Sequence, residues 1–367
     1  MKHRYLESPD EWKCKISNPH QLGGIETSVL DNGQAKGVRI AWINTGSGLR
    51  YKVVLDRAMD IAEAFYNQYN LAWISRSGII GKYYSDTYGN EWLKSFSGFM
   101  VTCGLSHIGG FETDEFGQRG LHGRINNQPA EIIEIVQPDP FLDKFEMSLT
   151  GIIYESTVFG PHLELKRTIS STIGIPKINI RDVVTNKGNE KAPHMLLYHC
   201  NFGWPLTDKN TVIFYDGNCI SRGSKIDNDT FKINGNYTIC PDPIDTHRGN
   251  GEAVGFIDIK PDEAGLCTCG LFNPKIKIAL VLKFFKSELP WLTNWQHWGS
   301  GEYVTGLEPG TNLPLGQAWA REKGNLIFLK PGEERTYNLE ISIADDAKDL
   351  IKLLGKYIKN FTKTFKL

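Results

Sequence analysis

Apolar and polar residues alternate with a period of two along most of this chain, and this pattern predicts β-strands. In segment 276–284 the alternate apolar residues would project to one face, as a half-buried strand requires; they are Ile276, Ile278, Leu280, Leu282 and Phe284. The same alternation occurs in segments 163–169, 178–184 and 337–343. Turn-forming sequences such as Asn186-Lys187-Gly188-Asn189 separate these segments. The pattern therefore predicts many short strands joined by tight turns.

One segment near the C-terminus has helical periodicity instead. From about residue 346 to 361, apolar residues recur at i, i+3, i+4 and i+7; they are Leu350, Ile351, Leu353, Leu354, Tyr357, Ile358 and Phe361. Asp345 or Asp346 can cap its first turn. A weaker helical pattern lies around Thr87 to Lys94, but it contains Gly89. We expect a short C-terminal helix that packs against the sheets.

No linker divides the chain. Strand-like segments continue from about residue 20 to residue 344, without a Ser/Gly/Pro-rich run, a charge block or a repeat. A single all-β domain can reach this length, because large sandwiches often exceed the usual domain size. We therefore predict one large antiparallel β-sandwich domain over residues 1–367, with a peripheral N-terminal segment over residues 1–20 and the C-terminal helix.

Charge and cysteine content limit the partners and the compartment. The chain has 41 basic and 42 acidic residues, so no broad basic surface for nucleic acid or acidic membranes is expected. Seven cysteines are an odd number in a chain of 367 residues, which favours reduced thiols and a cytoplasmic protein. The first residues lack the apolar core of a secretory signal, and no window resembles a membrane span. The expected partner is a small, neutral molecule.

Three segments are rich in side chains that can perform chemistry. Segment 120–130 contains His122 and Arg124, and segment 197–205 contains His199 and Asn201 where a strand must end. Segment 294–312 contains the remaining candidates, which are Trp295, His297 and Glu308. Aromatic rings stack on the C–H faces of a sugar, while imidazole, carboxylate, guanidinium and amide groups bind its hydroxyls. A histidine and a carboxylate can also exchange protons near neutral pH.

Purely structural roles for these residues stay open at this stage. A histidine at a strand end can be an ordinary hydrogen-bonded residue, Glu308 can pair with Arg321, and Trp295 with Trp298 can belong to the core. His122, His199 and Glu308 are ligand types that zinc accepts, but no ligand spacing supports a metal site. Phosphate-binding loops and serine-hydrolase motifs are missing from the sequence. We expect no metal and no cofactor.

These segments resemble the aldose 1-epimerase (galactose mutarotase-like) superfamily, and within it a bacterial branch of unassigned substrate. The matching segments span most of the chain and are 54–61, 71–75, 102–105, 120–124 with Pro129-Ala130, 199–203 and 306–309. The resemblance implies a large antiparallel β-sandwich. It also implies that His199 is the general acid at the ring oxygen, that Glu308 is the general base at the anomeric hydroxyl, and that His122 holds the ring-oxygen side of the sugar.

The other substrate contacts follow less directly from the resemblance. Arg124, beside His122, would bind a hydroxyl, and we place Asn201, Trp295, His297, Arg57 and Asp60 in the same binding set. Asp60 could instead be buried beside Arg57 as a structural pair. The aspartate that grips hydroxyls in the classical enzymes has no secure match, and Asp242 and Asp245 are candidates only by their order in the chain.

The expected function is an aldose 1-epimerase (mutarotase) that needs no cofactor. One alternative is a non-catalytic sugar-binding protein on the same fold. Another is a carbohydrate lyase or hydrolase, which would need a second acid or a Tyr/Arg pair; Tyr303 is the residue that keeps this alternative open. The sugar, its phosphorylation and the oligomeric state, for which a homodimer is one option, are left undecided by the sequence.

Overall fold

The computed structural model describes residues 12–82, 89–232, 235–358 and 361–365. Twenty-two strands lie within these residues. The first eleven are β1 (Gly24–Val29), β2 (Arg39–Asn44), β3 (Leu49–Val54), β4 (Asp60–Tyr66), β5 (Tyr69–Asn70), β6 (Met100–Leu105), β7 (Glu112–Asp114), β8 (Gly117–Arg119), β9 (Glu131–Val136), β10 (Glu146–Ser156) and β11 (His162–Thr172). The others are β12 (Lys177–Asn186), β13 (Ala192–Phe202), β14 (Val212–Tyr215), β15 (Gly217–Ser221), β16 (Ala253–Ile259), β17 (Leu266–Asn273), β18 (Ile278–Phe285), β19 (Trp291–Gly299), β20 (Glu302–Gly310), β21 (Ile327–Leu329) and β22 (Glu334–Ala344).

Helices are short and few among the described residues. The α-helices are α1 (Lys225–Thr230), α2 (Gln317–Glu322), α3 (Ala347–Leu354) and α4 (Phe361–Thr364). Single 3₁₀ turns occur at Pro19–Gln21, Gly33–Ala35, Glu91–Lys94, Ile125–Asn127, Pro140–Leu142 and Asp245–His247. No helix in the described ranges has the length and apolar content needed to cross a membrane.

The strands form two large sheets. The first runs in the order β1-β2-β3-β4-β6-β13-β20-β19-β16-β15, with β5 beside β4 and β21 beside β13. The second runs β14-β17-β18-β22-β12-β11-β10-β9, and β7 pairs with β8 in a separate hairpin. Neighbouring strands in these sheets are antiparallel, for example β13 with β20 and β12 with β22. The predicted all-β antiparallel sandwich is confirmed.

The core lies between the two large sheets. Tyr51 and Ile61 of the first sheet and Leu165, Ile180 and Leu339 of the second sheet belong to one buried cluster. Burying each such side chain contributes about 1.5–3 kcal/mol relative to leaving it exposed. Trp12 is also buried in this cluster. The predicted peripheral segment 1–20 therefore reaches the core at Trp12, whereas residues 1–11 lie outside the described residues.

A buried polar network joins the sheets. The Arg167 guanidinium donates to both carboxylate oxygens of Asp182 at 2.9 and 2.6 Å. It also crosses to the first sheet, where it donates to the Ala58 carbonyl and the Thr102 hydroxyl at 2.9 and 2.7 Å. The Tyr198 hydroxyl donates to Asp182 at 2.8 Å. Tyr198 lies in β13, so this network fixes the strand that carries His199.

The C-terminal helix exists but is shorter than predicted. Asp346 caps α3 by accepting from the backbone N–H groups of Lys348 and Asp349, and the helix ends at Leu354. Gly355 follows at once, and glycine is a poor helix former. The weaker candidate around Thr87 to Lys94 contains only the 3₁₀ turn Glu91–Lys94, and its first two residues lie outside the described residues.

Candidate active site

Strand β13 is buried on both faces, and its two faces have different roles. Tyr198 and Cys200 belong to the core between the sheets. Leu197 belongs to a separate apolar cluster on the outer face of the first sheet. Because side chains alternate along a strand, His199 projects to this outer face with Leu197. The outer cluster covers His199, which is only 4% exposed.

The strand register brings His199 and Glu308 together. β13 pairs with β20 such that Cys200 faces Leu307 and Leu197 faces Gly310, and this register places His199 opposite Glu308. Directly paired residues of an antiparallel sheet project to the same face. His199 Nε2 and Glu308 Oε1 are 3.2 Å apart. Thr293 of β19 is paired with Glu308 on the other side.

Gly306 makes room between these side chains. It precedes Glu308 by two residues and therefore lies on the same face of β20. A Cβ atom at Gly306 would lie 2.6 Å from Glu308 Oε1 and 3.4 Å from His199 Cε1. Any larger residue would therefore displace the carboxylate or the imidazole. The missing side chain leaves both groups accessible from the same cavity.

Several polar atoms around this cavity have no hydrogen-bond partner among the described residues. They are His199 Nδ1, Glu308 Oε1, Thr293 Oγ1 and Trp92 Nε1. The 3.2 Å contact between Glu308 Oε1 and His199 Nε2 is an ion-pair distance without hydrogen-bond geometry, so Oε1 still counts as unsatisfied. Buried polar atoms are normally hydrogen-bonded. Four such atoms facing one space are suited to a polar ligand.

Aromatic rings form the walls of this space, a cavity of about 680 Å³. The ring centroid of His199 lies 4.8 Å from that of Phe96 and 5.4 Å from that of Trp295. Trp92 stacks on Phe96 at 4.2 Å, and Trp73 lies edge-on to Trp295 at 6.1 Å. Such walls bind the apolar faces of a ligand while leaving its polar edges to the unsatisfied atoms.

His122 lies at the same end of the cavity, with its ring centroid 5.9 Å from that of His199. Its backbone has a φ of +55°, which is uncommon for a residue with a side chain. The Gly109 N–H donates to His122 Nδ1 at 3.4 Å, so the neutral ring carries its proton on Nε2. Burial lowers the pKa of His122 well below its usual value. This histidine is thus a neutral hydrogen-bond donor.

Burial shifts the pKa values of His199 and Glu308 in opposite directions. Desolvation lowers the pKa of His199 to about 3, and the neighbouring Asn201 side chain opposes this only in part. Desolvation also raises the pKa of Glu308 well above its usual value, and the nearby Glu252 adds to this. Both shifts favour the neutral forms, so whenever the pair holds a single proton, that proton rests on Glu308 rather than on His199. A histidine was expected to exchange protons near neutral pH, and burial lowers the pKa of this one because the site excludes water around the imidazole.

The far end of the cavity is polar. The Trp295 indole N–H donates to Glu252 at 2.8 Å, and Arg222 donates to the same carboxylate at 2.6 Å. His297 Nδ1 lies 2.6 Å from the Gly251 carbonyl oxygen, and its Nε2 lies 3.3 Å from Glu302. Glu252 therefore fixes the Trp295 ring that faces His199, and it lines the cavity together with Arg222.

The structure brings His199, Glu308, His122, Trp295 and His297 around one cavity. Trp295 is part of the cavity wall. Trp298 is a core residue, so the alternative that these two tryptophans belong to the core holds for Trp298 only. Glu308 does not pair with Arg321, which instead binds Asp114 at 3.0 Å.

Arg124 is placed elsewhere, and its predicted role beside His122 is corrected. His122 and Gly123 have φ values of +55° and +75°, so the chain turns between His122 and Arg124. Residues two apart would share a face in a strand, but this turn directs Arg124 away from the first cavity. Its guanidinium donates to the Ser156 carbonyl oxygen at 3.0 Å and lines a second cavity.

Three other predicted substrate contacts are engaged within the protein and do not line the first cavity as the described residues define it. Asn201 donates to the backbone carbonyls of Gly98 and His199. Arg57 donates to the Asn126 carbonyl and the Ser95 hydroxyl. Asp60 accepts two hydrogen bonds from Thr102 and lies 3.6 Å from Arg167, so the network between the sheets holds it.

The two aspartates considered for gripping hydroxyls are also outside the cavity. Asp242 pairs with Lys209, and Asp245 pairs with Arg248, both at the surface. The carboxylates that join Glu308 around the cavity are Glu252 and Glu302. The described residues contain no group of three or more His, Cys, Asp or Glu side chains arranged for a metal ion.

Sequence reasoning missed several cavity residues, which are Trp73, Trp92, Phe96, Arg222, Glu252, Thr293 and Gly306. Thr293 was detectable in principle, because it lies two residues before Trp295 and shares its face of the strand. Arg222 and Glu252 lie outside the strands, and no periodicity marks them.

Solved structures with the same fold define the structural class of this chain. A protein of Klebsiella pneumoniae subsp. pneumoniae, provisionally assigned as an aldose 1-epimerase, matches with a TM-score of 0.80 and 22% identity over 95% of this chain and 89% of its own. A galactose mutarotase-like protein of Clostridium acetobutylicum matches with a TM-score of 0.60 and 11% identity, over 88% of this chain and 98% of its own. The protein thus has the galactose mutarotase-like fold, and the resemblance seen in the sequence is confirmed at that level.

A third similar structure is the galactose 1-epimerase of Lactobacillus acidophilus NCFM, with a TM-score of 0.55, 10% identity, and coverage of 88% of this chain and 98% of its own. No curated protein matches the chain. Residues 35–343 match the family described as a domain of unknown function, DUF4432, and the chain belongs to that family.

Proposed function

We propose that this protein is an aldose 1-epimerase in which His199 and Glu308 interconvert the anomers of a free sugar. The observation that carries the proposal is the acid–base pair itself. A buried imidazole and a buried carboxylate lie 3.2 Å apart on one wall of a cavity with aromatic walls. Both groups retain an unsatisfied polar atom. A protein that only needed to fold would gain nothing from this arrangement.

The remaining cavity residues supply contacts that a pyranose would use. The C–H faces of the sugar would lie against Phe96 and Trp295, which flank His199. His122, a neutral donor through Nε2, would hold the ring-oxygen side. Glu252 at the far end would accept from hydroxyls, in the role for which the sequence offered Asp242 and Asp245. His297 would contribute a further contact.

The proposed reaction moves one proton across the sugar. The resting proton passes from Glu308 to His199, whose Nε2 lies 3.2 Å from Oε1, once a rotation of either side chain aligns the two atoms. Glu308 then removes the proton of the C1 hydroxyl as the C1–O bond becomes a carbonyl. The bond between C1 and the ring oxygen breaks, and its electron pair takes the proton of His199. The pair returns to its resting protonation, the C1–C2 bond rotates, and the reverse steps close the other anomer.

Two substitutions test the proposal. His199→Asn and Glu308→Gln each remove one proton carrier, and positioned proton transfer is typically worth about 10²–10⁴-fold. We expect losses of that order in anomer exchange, measured by saturation-transfer NMR on a panel of free aldoses and ketoses. His162→Asn is the matched control, because His162 is half-buried at the start of β11.

Three results would reject the proposal. Unchanged exchange in His199→Asn and Glu308→Gln would show that the pair does not transfer the proton. Sugar binding without exchange by the unmodified protein would show a non-catalytic sugar-binding protein. New reducing ends formed from oligosaccharides would show a hydrolase or lyase.

A further inference from the structure

A second cavity of about 600 Å³ lies beyond the turn that carries His122. The turn contributes Leu121 and His122 to the first cavity, and Gly120, Gly123 and Arg124 to the second. The side chains that matter for its chemistry are Arg119, Arg124, Glu155, Lys191, Arg321 and Phe328. The two cavities thus share a wall but present different chemistry.

Two of the four cations in the second cavity are already neutralised. Arg119 binds Asp114 at 2.6 Å and Glu112 at 2.7 Å. Arg321 binds the same Asp114 at 3.0 Å. These cations and carboxylates form one closed network and leave no charge for a ligand.

The other two cations have no carboxylate within ion-pair distance among the described residues. Arg124 donates through Nη2 to the Ser156 carbonyl oxygen, which is neutral. Lys191 lies with its ammonium 4.3 Å from the centre of the Phe328 ring, a cation–π contact that leaves its positive charge in place. Arg124 and Lys191 therefore present two uncompensated positive charges to the same cavity.

The single further carboxylate of the cavity wall does not cancel both charges. Glu155 is 4% exposed and accepts from the Leu105 N–H at 2.6 Å and from the Ser106 hydroxyl. These neutral donors hold it away from the two cations, and its oxygens can still accept from a ligand hydroxyl. The cavity therefore has an excess of positive charge together with one site for a hydroxyl.

We propose that the second cavity binds a small organic anion, with its carboxylate or phosphate between Arg124 and Lys191 and a hydroxyl on Glu155. The planar guanidinium of Arg124 offers paired donors that match either oxyanion. This site is separate from the proposed sugar chemistry and does not depend on it. The turn that carries His122 is the wall between the two cavities, since Gly123 and Arg124 line the second one.

Calorimetric titration with two probes tests the proposal. Inorganic phosphate represents the phosphate form, and gluconate represents a hydroxy acid; we expect binding of at least one of them with a Kd of about 1 mM or tighter. The double substitution Arg124→Gln with Lys191→Gln should weaken that binding by about tenfold or more, because each charge-assisted contact is stronger than a neutral one. The probe that binds identifies the oxyanion.

Arg76→Gln is the matched control. Arg76 lines the first cavity, so its substitution should leave anion binding unchanged. The proposal is overturned if neither probe binds, if the double variant binds as the unmodified protein does, or if Arg76→Gln causes the same loss. Thermal unfolding checks that the double variant is folded, and Lys191→Gln alone, at an exposed residue, gives a second reading of the same loss.

Discussion

Burial determines which protonation states His199 and Glu308 adopt. Each group is almost fully enclosed, and each is displaced towards its neutral form because a charge is costly without water. The pair is therefore neutral as a whole whether the proton lies on Glu308 or on His199. General acid–base catalysis needs only that one proton be present in the pair, since one member must give and the other must accept.

The two displaced pKa values predict an unusual pH profile. The singly protonated pair exists from the lowered pKa of His199, about 3, up to the raised pKa of Glu308. It gains a second proton below that range and loses its only proton above it. We expect kcat/KM for anomer exchange not to fall on acidification through about pH 6.5, where an ordinary histidine would titrate, and to decrease only on the alkaline side, as the raised pKa of Glu308 is passed.

The measurement is kcat/KM at closely spaced pH values, with uncatalysed exchange subtracted and folding followed by circular dichroism at each pH. An acid limb centred near pH 6.5, in a protein that stays folded, would contradict the prediction. Such a limb would mean that water reaches His199 and that its pKa is ordinary.

Single residues also mark the limit of what the sequence could predict. His199, Glu308 and His122 were found because they stand in recognisable segments at strand ends. Arg124 was misplaced because adjacency in sequence was taken as adjacency in space. The left-handed backbone at His122 turns the chain there. Nothing in the identity of a histidine requires that conformation, so the sequence could not show the turn.

At the scale of elements, the site depends on the register between β13 and β20. A shift of one residue would turn Glu308 into the core and bring Leu307 to the cavity, because side chains alternate. Within this register, Gly306 keeps the space beside the Glu308 carboxylate free. It has no strained φ that would exclude alanine, but a Cβ there would lie 2.6 Å from Glu308 Oε1.

Gly306→Ala should therefore displace the Glu308 carboxylate while the sheet stays intact. A displacement of about 1 Å in a catalytic group costs on the order of 10²-fold in rate, and we expect a loss of that size in kcat/KM for anomer exchange. Gly81→Ala is the control, because its Cβ would meet nothing closer than 3.7 Å. Exchange in Gly306→Ala at the unmodified rate would show that Glu308 can move without consequence.

Alternation predicted strands well but could not predict what covers them. In β18 the residues Leu280 and Leu282 face the main core as expected. Ala279 and Val281 on the other face are also buried, because Leu350 and Leu354 of α3 pack on them. The strand therefore is not half-buried. Helical periodicity in the sequence likewise continues past Gly355, although α3 ends at Leu354, since apolar spacing records burial rather than helix length.

At the scale of the whole molecule, the proposed catalytic pair and the core are on opposite faces of the first sheet. The fold class follows from alternation and turns, but the joining of His199, Glu308 and Glu252 requires strand pairings between distant segments. Periodicity contains no information on which strands become neighbours. Arg222 and Glu252 reach the cavity from loops, so only the assembled sheets show that they belong to it.

The hydrogen-bond network of Arg167 joins the two sheets, so its loss should lower the free energy of unfolding of the whole molecule. Arg167 is fully buried and joins Asp182 in its own sheet to Thr102 in the other and to Ala58 in the turn between β3 and β4. Arg167→Met keeps most of the volume but leaves the Asp182 carboxylate buried without its cation. Removing one partner of a buried pair typically costs about 3–5 kcal/mol. We expect a loss of that size in the free energy of unfolding, measured by urea denaturation at neutral pH.

Arg181→Met is the matched control for that measurement. Arg181 lies next to Asp182 but projects to the solvent-exposed face of β12, so its substitution should change stability by no more than about 0.5 kcal/mol. If the unpaired Asp182 carboxylate is the cause, the double substitution Arg167→Met with Asp182→Leu should recover part of the loss, because no buried carboxylate is then left without its cation.

A loss of stability below about 1 kcal/mol in Arg167→Met would mean that the network contributes no more to stability than one ordinary hydrogen bond does. The sheets would then be held together by apolar packing alone, and His199 would owe its position to the core residues of β13 rather than to Tyr198 and Asp182.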